Sequence, residues 1–91
     1  MELRWSQDAA DDLERITDYL FENAPERAPE LIRAIYDSPA ALLSFPRRGR
    51  PGNKEGTREL VLTSLPFIVI YRIKGDVIEI LRILHGAQKW P

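Results

Sequence analysis

The chain has 91 residues, 44% of them hydrophobic and 30% charged, with a net charge of −1; that suits one small packed domain over residues 1–91 and leaves no room for a deep cofactor cleft beside a second domain. It holds no cysteine and one histidine, which excludes disulfides, thiolate zinc sites and His-rich metal sites, so neither a metal nor a cofactor is expected. No run approaches the about 18–20 consecutive apolar residues of a membrane span, and Met1–Asp8 lacks the apolar core of a signal peptide, so a soluble, cytoplasmic protein with no membrane partner is expected.

Leu3-Arg4-Trp5 reads as a short extended run ahead of Ser6, a helix N-cap. Asp8, Asp11 and Asp12 follow in the first turns, where carboxylates meet the positive end of the helix dipole. Ala9, Leu13, Ile16 and Leu20 recur at helical spacing, with Asp12, Glu14, Arg15, Asp18 and Glu22 between them, which predicts an amphipathic helix ended by Asn23-Ala24-Pro25. A second helix starts near Pro25 or Glu26, since Pro29 is tolerated only in a first turn, and carries Ala28, Leu31, Ile32 and Ile35 on its apolar face. Ser38-Pro39 interrupts it. Ala40, Ala41, Leu42, Leu43 and Phe45 continue the apolar pattern, as a kink or a short re-capped helix would.

Three strand-like runs follow, at 57–62, 67–73 and 77–84. Ser64-Leu65-Pro66 joins the first two, and Lys74-Gly75-Asp76 is the tight turn of a β-hairpin. The expectation is an α+β domain of order β-α-α-β-β-β, with a helical hairpin packed on a small twisted antiparallel sheet.

Charge is polarised along the chain. Residues 1–30 carry nine acids and three bases, whereas residues 31–60 carry six bases and three acids. Arg47, Arg48, Arg50, Lys54 and Arg58 fall among Gly49, Gly52, Gly56, Pro46 and Pro51, with Glu55 the one acid between Arg47 and Arg58. Arginine forks suit carboxylates or phosphates, and the glycines let backbone approach a ligand; the spacing is that of neither a Walker loop nor a dinucleotide fingerprint. The alternative for this loop is plain solvation. His85, at the end of the last strand, suits a general acid or base, or a strand-end ring bonded to tail backbone. Metal-free RNA cleavage would draw on Glu59, His85 and Arg82 or Arg58, with Tyr71 in reserve. Arg58 and Glu59 are adjacent on a strand and point to opposite faces, so only one of them shares a face with Arg82. Trp5 and Trp90 read as packing residues, or Trp90 as an exposed interface anchor.

Ala10-Asp11-Asp12-Leu13-Glu14-Arg15-Ile16, Leu42 with Phe45-Pro46 and Gly49-Arg50, Gly56-Thr57-Arg58-Glu59-Leu60 and the tail Ile83-Leu84-His85-Gly86-Ala87-Gln88-Lys89-Trp90-Pro91 form an ordered set. In this set the chain resembles the RelE/ParE superfamily of toxins from bacterial type II toxin–antitoxin modules over nearly its whole length. The resemblance implies neutralisation by a cognate antitoxin that itself binds operator DNA, so DNA is met only indirectly. It also implies one of two targets. RelE-like members cut mRNA on the ribosome, and ParE-like members poison DNA gyrase without being nucleases. Arg58 and Arg82 match positions where family nucleases carry phosphate-stabilising arginines, and His85 falls near their terminal acid–base position. The net charge of −1, the pI near 5.8, the absence of an acid–base side chain in Phe67–Ile70 and of any tyrosine after Tyr71 favour the ParE-like branch. The expected target or antitoxin contacts are Arg47, Arg48, Arg50, Lys54, Arg58, Gln88 and Trp90, with partner acids pairing to Arg47, Arg48 or Arg50. A toxin-fold chain that has lost toxicity and serves in a repressor complex is a third reading.

Overall fold

The computed structural model describes residues 1–63, 65–86, 88 and 90. Ser64 of the second connection, and Ala87, Lys89 and Pro91 of the tail motif, lie outside them. The elements are β1 (Glu2–Trp5), α1 (Gln7–Asn23), α2 (Ala28–Asp37), a 3-10 turn (Ser38–Leu43), β2 (Arg50–Pro51), β3 (Thr57–Val61), β4 (Phe67–Lys74) and β5 (Val77–His85). They form two helices packed on a five-stranded sheet of order β1-β5-β4-β3-β2.

Ser6 caps α1 as its sequence position predicts, its Oγ accepting from the Ala9 N–H at 3.1 Å. The second helix begins later than expected. Residues 25–27 wrap a turn around the Ala24 carbonyl, which accepts from both Arg27 N–H and Ala28 N–H, and α2 starts at Ala28 with Pro29 in its first turn. Pro39 then opens the 3-10 turn rather than an α-helical one. That tighter winding buries Leu42 and leaves Leu43 and Phe45 facing solvent.

The sheet is mixed. β2–β3, β3–β4 and β4–β5 are antiparallel, but β1 runs parallel to β5, with Leu3 opposite Ile78 and Trp5 opposite Ile80. A parallel partner requires a crossover, and β1 and β5 are joined through everything between them, so local patterning could not reveal the pairing. β2 is a further addition, a two-residue edge strand inside the glycine- and arginine-rich loop. The β4–β5 hairpin turns at Gly75-Asp76, where Gly75 has φ 59°, the positive value that the first central residue of a tight hairpin needs.

One face of the sheet meets the helices. Val69, Tyr71, Ile78, Ile80, Ile83 and Leu60 pack there with Ala9, Leu20, Ala28, Ile35 and Leu42. The register puts Glu59, Ile70, Arg72, Glu79 and Leu84 on the far face, where Ile70 and Leu84 are nonetheless buried. The last strand is apolar on both faces for that reason.

Candidate functional site

β1 pairs with β5 only as far as Ile80, after which the chain turns into α1 and leaves the upper edge of β5 without a strand partner. Two side chains of α1's start take over the exposed backbone groups. Ser6 Oγ donates to the Leu81 carbonyl at 3.0 Å, and the Ile83 N–H donates to Asp12 Oδ2 at 2.9 Å. A register shift at Ile70/Tyr71 accompanies this edge, leaving Leu81 without an opposite residue on β4. Arg82 closes the arrangement. Its Nε reaches Asp12 Oδ2 at 2.7 Å and its Nη2 reaches Oδ1 at 3.0 Å, a bidentate fork on a carboxylate that is 3% exposed. Arg15 adds a further hydrogen bond to Asp12. The Arg82 guanidinium is held above its ordinary range, chiefly by that hydrogen bond to Asp12, against the opposing effect of burial.

Arg82 is thus committed to α1. Arg58 is committed elsewhere: its Nη1 donates to the Gly49 carbonyl at 2.7 Å, fastening the loop to β3. The register sets Arg58 opposite Tyr71 on the helix-facing side and Arg82 opposite Ile70 on the other, so it is Glu59 that shares a row with Arg82, and Glu59 is ion-paired with Arg50 at 3.0 Å. His85 stands opposite Phe67, against which its ring packs edge-on at 5.8 Å. Phe67 and Tyr71 are four positions apart on β4, roughly 13 Å of strand, so His85 lies at the end of the sheet and Arg58 at the middle of β4. General acid–base and charge-stabilising groups act on one substrate only within hydrogen-bond reach of the same reacting atoms. The three nuclease candidates are not brought together.

Tyr71 serves the loop. It is fully buried, its hydroxyl donates to the Pro46 carbonyl at 2.7 Å, and it accepts from the Gly49 N–H at 2.9 Å. A Cβ at Gly49 would come within 2.7 Å of the Tyr71 ring and 2.9 Å of the Glu59 carbonyl, so glycine there is a requirement of close approach. The loop is therefore an ordered ridge, and its five cations separate into two groups. Arg50 pairs with Glu59, Arg58 grips loop carbonyls, and Lys54 lies 6.0 Å from the Trp90 ring centre. Arg47 and Arg48 are exposed and have no carboxylate partner among the described residues.

The tail meets this ridge. Gln88 Oε1 accepts from the His85 N–H at 2.7 Å, which curls the chain after β5, and the Asn53 amide donates to the Trp90 carbonyl at 3.2 Å. Trp90 is half-buried and lines, with Thr57, Arg72, Leu81 and Arg82, a groove of about 460 Å³. Trp5 packs, stacked on Tyr36 at 5.6 Å. Sequence reasoning missed the roles of two residues that organise the site. Asp12 was placed with the solvated acids of α1, and no pattern in the helix marks it out. Tyr71 could have been found from Gly49, because a loop glycine beside a strand tyrosine signals close backbone approach, but only once the register is known.

No group of three or more potential metal ligands occurs among the described residues, and among them no helix is long and apolar enough to cross a membrane. Residues 3–90 match the family model described as ParE toxin of type II toxin-antitoxin system, parDE. A curated protein of Sinorhizobium fredii, named "Putative toxin Y4kP", is 40% identical over 89 residues, covering 98% of this chain and 92% of its own length. Among solved structures, the chromosomal ParDE toxin–antitoxin system from P. aeruginosa contains a chain 35% identical to this one, with a TM-score of 0.86 over 93% of this chain and 95% of that one. A chain of the RelBE2 toxin–antitoxin complex from Mycobacterium tuberculosis, 20% identical with a TM-score of 0.57 over 92% of this chain and 95% of that one, shares the fold. The expected superfamily and its ParE-like branch thus both stand, and the chain belongs to the ParE toxin family of type II toxin–antitoxin systems.

Proposed function

We propose that this chain inhibits bacterial growth by acting in the cytoplasm on DNA gyrase, that it does so as a protein ligand rather than as a nuclease, and that a cognate antitoxin neutralises it. The observation that carries the reading is the separation of the acid–base and phosphate-binding candidates. Arg82 is consumed by a buried carboxylate, Arg58 by loop carbonyls, and His85 lies roughly 13 Å of strand away from the Arg58 row. A near-neutral net charge of −1 supports the same reading, because a ribosome-directed nuclease must approach a dense polyanion. Membership of the ParE family and the likeness to a chain of a ParDE system support the antitoxin partner.

The test uses purified chain with gyrase, ATP and relaxed plasmid, with detergent and protease added before electrophoresis. Linear DNA that depends on the chain is the expected product of a trapped cleavage complex, and His85→Ala should form it as well as the parent does. Normal supercoiling with no linear product, at concentrations that arrest growth, would overturn the gyrase target and turn attention to ribosome-bound mRNA. Unaffected growth with soluble protein present would leave a non-toxic partner in a repressor complex as the function.

A further inference from the structure

The helices leave one end of the core face uncovered. Near the C-terminal end of β4, Ile73 opens into a groove of about 720 Å³ whose walls are Met1, Phe45 and Pro46, with Ser44 alongside. Phe45 is 65% exposed at its edge, because the 3-10 turn ends there and throws the ring outward. Arg47 and Arg48 line the same groove. Neither has a carboxylate partner among the described residues, and the groove contains no acid among its described lining residues. The backbone of the ridge carrying them is fixed from beneath by Tyr71 and Arg58, which keeps both residues at the border of the apolar floor.

An apolar floor rimmed by guanidiniums that have no carboxylate among the described residues matches a chain segment that brings a large apolar side chain next to carboxylates. A nucleic acid fits it poorly, since an anionic backbone calls for a longer track of cations and makes no use of the apolar floor. We infer that this groove is the docking site for an acidic, amphipathic segment of the antitoxin, with Phe45 as the apolar anchor and Arg47 and Arg48 as the carboxylate partners. The inference rests on the antitoxin reading above and narrows it. Of the three arginines expected to receive partner acids, Arg50 is withdrawn by Glu59.

Fluorescence anisotropy of the labelled antitoxin from the same module, titrated with the intact toxin at about 0.05 M and about 0.3 M salt, tests the assignment. The parent chain should bind and weaken with salt. The double variant Arg47→Glu/Arg48→Glu should bind about a hundredfold more weakly and lose most of the salt dependence. Phe45→Ala should bind about tenfold more weakly with the salt dependence kept. Arg50→Gln should change affinity by less than about threefold, as a rim group already paired at home would. All four residues are exposed, and urea midpoints close to the parent's would show that the variants remain folded. Parent-like affinity of both groove variants would overturn the inference while leaving the antitoxin reading intact. Failure of the parent chain itself to bind would overturn both. Loss of gyrase poisoning by the groove variants with antitoxin affinity unchanged would also overturn it, assigning the groove to the target.

Discussion

Asp12 sits on α1 between Asp11 and Leu13, in a stretch where acids are frequent, and its neighbours Asp8, Glu14 and Asp18 remain exposed. Asp12 alone receives a backbone N–H, a bidentate guanidinium and a second arginine, and a buried carboxylate is tolerable only with that degree of satisfaction. Asp12→Asn should therefore destabilise the fold by about 2–3 kcal/mol in urea unfolding, because it strands Arg82 and weakens the acceptor for Ile83 N–H. An unchanged unfolding midpoint would show that the pair contributes nothing. The pH behaviour follows from the sign of the shift. Arg82 is held above its ordinary range, so its contribution is complete below that range and fades only as pH rises past the raised value. Stability measured between about pH 6 and 9 should carry no loss traceable to Arg82.

At the scale of elements, the basic loop and β5 are positioned by partners distant in sequence. β5's upper edge is closed by Ser6 and Asp12 instead of a strand, which limits the backbone groups it offers to other chains. The loop at 46–50 is held by the Tyr71 hydroxyl, 25 positions on from Pro46 in sequence, together with the Arg58 guanidinium. Tyr71→Phe leaves the ring in place and removes both loop hydrogen bonds, which leaves the N–H of the buried Gly49 without its partner. A loss of about 1–3 kcal/mol is expected. Amide exchange at Gly49 should also accelerate selectively, and protection equal to the parent's would show that Arg58 holds the loop by itself. The groove assignment depends on this element, since a slack loop would not keep Arg47 and Arg48 beside Phe45.

Over the whole molecule, the two faces of the sheet are covered differently. The helix-facing core is continuous from Ala9 to Ile83, while the far face of the sheet is met by the tail through Trp90 and by paired side chains such as Arg72 with Glu79 at 2.7 Å. Trp90 links that tail to Asn53 and Lys54, 37 residues away from the Asn53 amide in sequence. Trp90→Ala should lower stability by about 1–2 kcal/mol through lost apolar cover and the lost contact with Lys54. A thermal midpoint equal to the parent's, together with reduced partner binding, would mark Trp90 as an interface anchor instead of a packing residue.

The sequence by itself determined the helical hairpin, the β4–β5 hairpin and the family. Ser6, Pro29 and Gly75 act through local backbone chemistry, the 3.6-residue recurrence in α1 and α2 is a local signal, and the tail motif is contiguous. Only the tertiary structure decided the parallel β1–β5 pairing, the burial of Asp12, the role of Tyr71 and the division of the loop cations into paired and unpaired. Each of these is a contact between residues far apart in the chain, with energies set by which groups are left without water. A run of arginines looks the same in sequence whether its carboxylates lie on the next strand or on another protein. The register that sets Glu59 beside Arg50 and leaves Arg47 and Arg48 at the groove resolves that ambiguity.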